Sequence, residues 1–360
     1  MDHLIISQNY ITISLLTLVF SIVIDLTMGD PELKIHPVML IGKSIGYFKK
    51  KLLKKKARWD KFAGIILILI VIFLFCIPIF LIQIGLSFVG KTWINIEGSA
   101  NGTWLNWIIL IYSIIMGFIL KWSFAIKNLG DVSHPIYSDL KNRNLKQAQF
   151  HLSWIVRRNT SELNEKLIIS ATVECIAESS TDSATGVFWF YGISILCGAF
   201  LYNLSSWTPW LFLGVPFSYI FRIFNTGDSV VGYKDEENIN IGWFSAKMDD
   251  FANFIPSRLT VCCMIIIGLF MNLNVKNALK VLKSDRNSIE SLNAGWTMSA
   301  MAGLLGIQLE KVEKYKLGCN IRELKPEDIL TSFRNVKYSI FLFILLVCGI
   351  SLIIINYIIF

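Results

Sequence analysis

Residues that could do chemistry gather in four short stretches of this chain, each lying beside or between long apolar blocks. The first, D-L-T-M-G-D-P-E-L-K-I-H-P-V, carries Asp25, Asp30 and His36. Asp25 ends an apolar block, where a charge is expensive and marks function by default. Gly29 and Pro31 force a turn, and Pro37 holds His36 extended; a helix-exit turn with solvated acids is the plainer alternative. The second places Glu174, Glu178 and Asp182 four residues apart, so that a helix from Leu163 onward carries all three on one face. Like charges so spaced repel by roughly a few tenths of a kcal/mol per pair. A cation relieves this, and Mg²⁺ is held by carboxylates together with substrate phosphates; a solvated acidic face is the alternative. Arg157 and Arg158 just upstream suit phosphate, or serve only as topology signals.

The third stretch is the densest: R-I-F-N-T-G-D-S-V-V-G-Y-K-D at 222–235, then D-D-F-A-N-F-I-P-S-R at 249–258. Asn225 and Asp228 lie one helical turn apart, as do Asp250 and Asn253, with Arg222, Lys234 and Arg258 flanking them. Carboxylates interleaved with Lys and Arg are what Mg²⁺–nucleotide chemistry needs to neutralise phosphate charge; a loop held by its own ion pairs is the alternative. The fourth stretch, S-L-N-A-G-W at 291–296 and A-M-A-G-L-L-G at 300–306, has the small residues of close helix packing. Gly42-Lys43-Ser44 resembles the end of a P-loop, but Pro37 stands where its first glycine belongs. G-x-S-x-G, H-E-x-x-H and G-x-G-x-x-G are absent from the sequence.

The elements that must position these residues are membrane helices. Of 360 residues 54% are hydrophobic and 17% charged, with mean hydropathy +0.56, whereas a soluble domain is about 25% charged. The excess lies in blocks at 4–26, 62–89, 104–126, 187–203, 207–224, 259–273 and 338–360. A span takes about 20 apolar residues. The expected fold is therefore an all-α polytopic membrane bundle of about five to seven spans, a single domain over 1–360 with the chemistry on its polar loops. The 187–224 region, broken by Asn203, Ser205, Ser206, Thr208 and Pro209, reads as a hairpin of two spans. The short 259–273 block reads as a full span, a re-entrant segment or a buried helix; a segment that does not cross, the favoured reading, keeps 274–334 with the other polar loops. The first block lacks the basic start and small-residue cleavage site of a signal peptide.

Lys49, Lys50, Lys51, Lys54, Lys55, Lys56, Arg58 and Lys61 face a single acid, Asp60, which makes that loop cytoplasmic and the N-terminus external. The nearly uncharged Gly90–Thr103 loop is then external and 127–186 cytoplasmic. The net charge of +8 is accounted for by topology and anionic lipid, with no nucleic acid required. The seven cysteines form no C-x-x-C pair and lack a His partner at metal spacing, so they read as small hydrophobes.

Six strings carry a resemblance: D-L-T-M-G-D-P…H-P-V-M-L-I-G-K, L-S-W-I-V-R-R-N-T, V-E-C-I-A-E-S-S-T-D, F-N-T-G-D-S-V-V-G-Y-K, G-W-F-S-A-K-M-D-D-F-A-N-F-I-P-S-R-L-T and N-A-G-W-T-M-S-A-M-A-G-L-L-G-I-Q-L. In this order they resemble the adenosylcobinamide-phosphate synthase family (CobD/CbiB) of cobalamin biosynthesis, from about residue 25 to 310. The resemblance implies a plasma-membrane ligase that joins (R)-1-amino-2-propanol, or its O-phosphate, to a propionate carboxylate of adenosylcobyric acid at the expense of ATP. The corrinoid is its substrate, and other membrane enzymes of cobalamin assembly are its expected neighbours. Such a reaction needs Mg²⁺ ligands, phosphate-binding cations and a base for the incoming ammonium. Glu178, Asp182, Asp228, Asp249 and Asp250 are the expected metal ligands. Arg158, Lys234 and Arg258 are expected to bind phosphate, His36 or Asp30 to act as base, and Asn225 and Asn293 to orient substrate.

The sequence departs from the family pattern in three places. Ser179-Ser180-Thr181-Asp182-Ser183 follows Glu178 where the family has Asn-Thr-x-Asp-Gly, and Thr297-Met298 replaces Pro-Glu. E-K-V-E-K-Y-K-L-G stands where a Gly-rich, Tyr-containing motif belongs. Two rival classes are a Mg²⁺-dependent prenyl- or phospho-alcohol transferase, whose strict D-x-x-D pairs are absent, and a non-enzymatic sensor on the same scaffold, which loss of the acids in 222–258 would have favoured.

Overall fold

A computed structural model describes residues 4–31, 36–97, 103–205 and 208–359. Its α-helices are α1 Leu4–Met28, α2 Pro37–Leu52, α3 Ala57–Glu97, α4 Thr103–Lys121, α5 Lys127–Lys141, α6 Leu145–Ser153, α7 Glu165–Ser180, α8 Gly186–Ser205, α9 Gly214–Val231, α10 Trp243–Phe270, α11 Val275–Asp285, α12 Ala294–Leu305, α13 Glu327–Ile344 and α14 Ile350–Ile359. A π-helical turn at Thr181–Thr185 joins α7 to α8, and another at Leu345–Gly349 joins α13 to α14. One small antiparallel hairpin, β1 Leu309–Lys311 and β2 Tyr315–Leu317, pairs Leu309 with Leu317.

The protein is a helical polytopic membrane protein. Among the described residues five helical segments are long and apolar enough to cross a membrane: Asn9–Met28, Ala57–Phe88, Glu165–Ser205, Trp243–Phe270 and Glu327–Ile358. Asn106–Lys121 is a shorter apolar helix. Leu15, Val19 and Val23 on α1 and Phe73, Leu74, Ile77 and Leu81 on α3 point outward, the surface that lipid rather than water solvates.

Element boundaries depart from the apolar blocks where polar residues continue a helix. The 259–273 block is the end of a helix that begins at Trp243, which brings it to spanning length. The 187–203 block belongs to the continuous Glu165–Ser205 segment. Residues 207–224 supply a 3₁₀ turn at Thr208–Phe212 and most of α9, while 206–207 lie outside the described residues. α3 continues to Glu97, so only part of the expected 90–103 loop is left, and 98–102 lie outside the described residues. The basic loop at 49–61 is largely helical: Lys49–Lys51 close α2, where cations complement the helix dipole, and Arg58 and Lys61 open α3.

The sequence reads as one domain, and the described residues group into two compact units. Unit 1 comprises Met1–Ala125, Val187–Phe251 and Leu345–Phe360. In it α1 packs along α4, with Gly117 against Thr17 and Phe20, and α3 packs against α2 and α9. Unit 2 comprises Ile126–Gly186 and Ala252–Ile344. Its centre is α7, packed by α6, α12, α13 and the hairpin, and started by Asn164, whose side chain accepts from the Leu167 N–H.

Candidate functional site

In unit 1 the Asp25–Asp30–His36 stretch closes around a lysine from α4. Lys121 is buried, with its ammonium hydrogen-bonded to Asp30 and 3.8 Å from the fully buried Asp25. His36 caps α2: its Nδ1 accepts from the Val38 N–H at 3.2 Å, so Nε2 carries the proton and donates to Asp30 Oδ1 at 3.2 Å. Burial raises the Asp30 pKa, but the bonds from His36 and Lys121 and the Lys121 charge outweigh it and hold the carboxyl below its ordinary range. Both of these donors meet Oδ1. Of the two expected bases, His36 has both ring nitrogens engaged and orients Asp30, whose Oδ2 accepts no hydrogen bond from the described residues.

The second constellation of unit 1 joins α9 and α10. The buried Arg222 donates through Nε to the Ser123 carbonyl at 2.6 Å and through a terminal nitrogen to Asn225 Oδ1 at 3.1 Å. Asn225 in turn donates to Asp249 Oδ1 at 3.3 Å. This relay fixes the amide of Asn225 and turns one oxygen of Asp249. Asp228 lies one turn beyond Asn225, half-buried, and α9 ends at Gly232, where a Cβ would strike the Asp228 carboxylate. Lys247 and the exposed Lys234 exert their charge on the half-buried Asp250.

Unit 2 holds the remaining predicted residues in three places. The buried Glu174 accepts from Ser170 Oγ at 2.8 Å and from the Tyr315 hydroxyl at 3.1 Å, and Arg158 lies 3.5 Å away. Burial and then the Glu174 charge push the Tyr315 hydroxyl pKa up, so it stays a donor. Asp182, within the π-turn, accepts from the buried Asn253 at 3.1 Å, and Glu178 is exposed. The three acids spaced for one face thus have three different surroundings. The π-turn, which commonly marks functional sites, falls on the Thr181–Thr185 stretch itself. Third, Arg258 donates to Asn293 Oδ1 and Ser257 Oγ, each at 3.2 Å, with Asn293 buried at the start of α12.

Among the described residues no group of three or more His, Cys, Asp or Glu is placed to cage a metal ion. Mg²⁺ does not require one, since it is held through one or two carboxylates plus phosphate oxygens and water. The single acids at Asp182 and Asp249, each turned by an asparagine amide, fit that mode.

A family model described as "CobD/Cbib protein" matches residues 18–336. The chain belongs to the CobD/CbiB family. The "Probable cobalamin biosynthesis protein CobD" of Methanothermobacter thermautotrophicus is 29% identical over 337 residues, 94% of this chain and 98% of that protein. Its namesake from Thermoplasma volcanium is 34% identical over 305 residues, 84% of this chain and 85% of that one. The "Cobalamin biosynthesis protein CobD" of Dehalococcoides mccartyi is 29% identical over 337 residues, 93% and 97%. No solved structure matches the chain.

Several polar residues of this CobD/CbiB chain escape a reading based on local spacing. Lys121 closes an apolar helix and looks like an ordinary interface anchor; only its sequence-distant carboxylates reveal its role. Tyr315 lies in the E-K-V-E-K-Y-K-L-G segment that departs from the family pattern, yet the hairpin carries its hydroxyl to Glu174. Ser170 ties hairpin to helix by accepting from the Glu310 N–H at 2.7 Å. Arg286 follows the end of α11 with no motif of its own.

Proposed function

We propose that this chain is a membrane-bound, ATP-dependent amide ligase of cobalamin biosynthesis, joining 1-amino-2-propanol or its O-phosphate to a propionate carboxylate of adenosylcobyric acid. The observation that carries the reading is the family match over residues 18–336, with matched relatives named for cobalamin biosynthesis. The geometry adds support, because the acids and amides of the family-like strings are held in hydrogen-bonded pairs on membrane-associated helices.

Magnesium-bound ATP, when bound, supplies the phosphoryl group that activates the propionate carboxylate towards an amine. The chain's own residues bind and orient. Asp228, Asp249 and Asp250 in unit 1, and Asp182 and Glu178 in unit 2, are the candidate metal-holding carboxylates of their own units. Asn225 fixes Asp249 and presents its amide to substrate. Lys234, Arg258 and Arg158 offset phosphate charge, Arg158 while already shared with Glu174. Asn293 orients substrate beside Arg258. Asp30 takes the amine as its ammonium on Oδ2 and accepts a proton as the nitrogen attacks, with His36 and Lys121 fixing Oδ1. The lowered Asp30 pKa makes it a better holder of the ammonium than a strong base. The protein lies in the plasma membrane with the 49–61 segment on the cytoplasmic side, against anionic lipid and near other membrane enzymes of cobalamin assembly.

The test is growth of a host lacking this synthase on cobyric acid as sole corrinoid. Wild type restores growth, and Asp228→Ala at equal membrane abundance does not. No growth with well-inserted wild type would overturn the reading.

A further inference from the structure

Within unit 2, a tryptophan draws two arginines from different elements to one ring. The Arg258 guanidinium carbon lies 4.6 Å from the Trp296 ring centroid and 3.6 Å from that of Phe254. The Arg286 guanidinium carbon lies 4.7 Å from the same Trp296 centroid. The two cations are therefore no more than about 9 Å apart. Like charges this close repel, a cost that a bound anion would relieve. Among the described residues neither guanidinium has a carboxylate at ion-pair distance; Arg258 is bonded to Asn293, Ser257 and the Phe254 carbonyl, all neutral. Both arginines and Trp296 are partly exposed, so the cluster is reachable.

The local sequence enforces this arrangement. Gly295 is the second residue of α12, and a Cβ there would collide with the Arg286 carbonyl. The missing side chain lets the 286–293 loop fold back onto the helix start, which brings Arg286 to Trp296. N-A-G-W thus places three parts of one feature: Asn293 to fix Arg258, Gly295 to admit Arg286, and Trp296 to stack both. Stacked guanidinium groups keep their in-plane N–H donors directed outward in the fork geometry that matches phosphate oxygens.

We propose that Arg258 and Arg286, stacked on Trp296, form a clamp for a phosphoryl dianion. The clamp stands on its own geometry; the identity of the phosphate carrier, an amino-alcohol phosphate or a nucleoside triphosphate, rests on the ligase reading. Arg286 and Trp296 are binding residues in this account, and Gly295 is a positioning residue.

The test is calorimetric titration of the purified full chain in detergent with inorganic phosphate, an amino-alcohol phosphate monoester and ATP in turn. Each charge-assisted bond lost weakens affinity by about tenfold to a hundredfold. Arg286→Gln is expected to lose that much for at least one ester probe, Arg286→Lys to recover part, and exposed Lys280→Gln to match wild type. Thermal unfolding of every variant shows that it is folded. Loss on the monoester alone assigns the clamp to the amine's phosphate and loss on ATP alone to the nucleotide, and both support it. Unchanged affinity of folded Arg286→Gln for all probes, or no binding by wild type, overturns it. A chain that binds phosphate through Arg286 yet makes no amide would sink the ligase reading and leave the clamp standing.

Discussion

The Lys121 cluster of unit 1 and the Arg258–Arg286 cluster of unit 2 place similar charges in opposite circumstances. Lys121 is buried and meets two carboxylates, so its charge is answered by the protein. The two arginines are half-exposed and stacked on aromatic rings, and among the described residues Arg258 is bonded only to neutral groups. A charge balanced inside the fold holds the fold together and is costly to remove, whereas one left to neutral partners is cheap for stability and available to a ligand.

Mutation should separate the two clusters by size of effect. Lys121→Ala removes the cation from a site where Asp25 is fully buried, and breaking a buried pair costs about 3–5 kcal/mol; the variant is expected to melt far below wild type or fail to accumulate in membranes. Tyr315→Phe removes a hydrogen bond to the buried Glu174, with an expected loss of about 2 kcal/mol in the same melting measurement. Asp30→Asn should cost about 1.5 kcal/mol at neutral pH and change the acid limb of a stability–pH profile. Because the Asp30 pKa is lowered in the folded state, its contribution is whole above about pH 4 and is lost as pH falls through the folded-state value. Wild type should therefore lose stability there more steeply than Asp30→Asn. Arg286→Gln should leave melting within about 0.5 kcal/mol of wild type while weakening phosphate binding. A large melting loss in that variant would erase the contrast and make the second cluster structural.

The same contrast explains what the sequence could disclose. The membrane helices are legible because twenty-residue apolar runs have few alternatives, and α1, α3 and the segment from the end of α13 through α14 lie where those runs fall. The start of α10 is not, since Lys247, Asp249 and Asp250 continue the helix beyond its apolar part. Pairings close in sequence, such as Arg222 with Asn225, are readable from helical spacing. Lys121 with Asp30 and Tyr315 with Glu174 are joined only by tertiary folding, and nothing in their local sequence marks them. The one-face reading of Glu174, Glu178 and Asp182 assumed a common environment, which burial, hairpin contact and the π-turn divide.

The most direct test of the central claim is an assay of the purified chain in lipid nanodiscs. Adenosylcobyric acid, Mg²⁺–ATP and either 1-amino-2-propanol or its O-phosphate are supplied, and products are read by mass spectrometry. The account predicts ATP-dependent appearance of the corrinoid amide, abolished by Asp228→Ala and slowed by Arg258→Gln. A folded wild-type chain that leaves the corrinoid unchanged with both amines would contradict it, and transfer of a phospho-alcohol or prenyl group to lipid would replace it with the transferase reading.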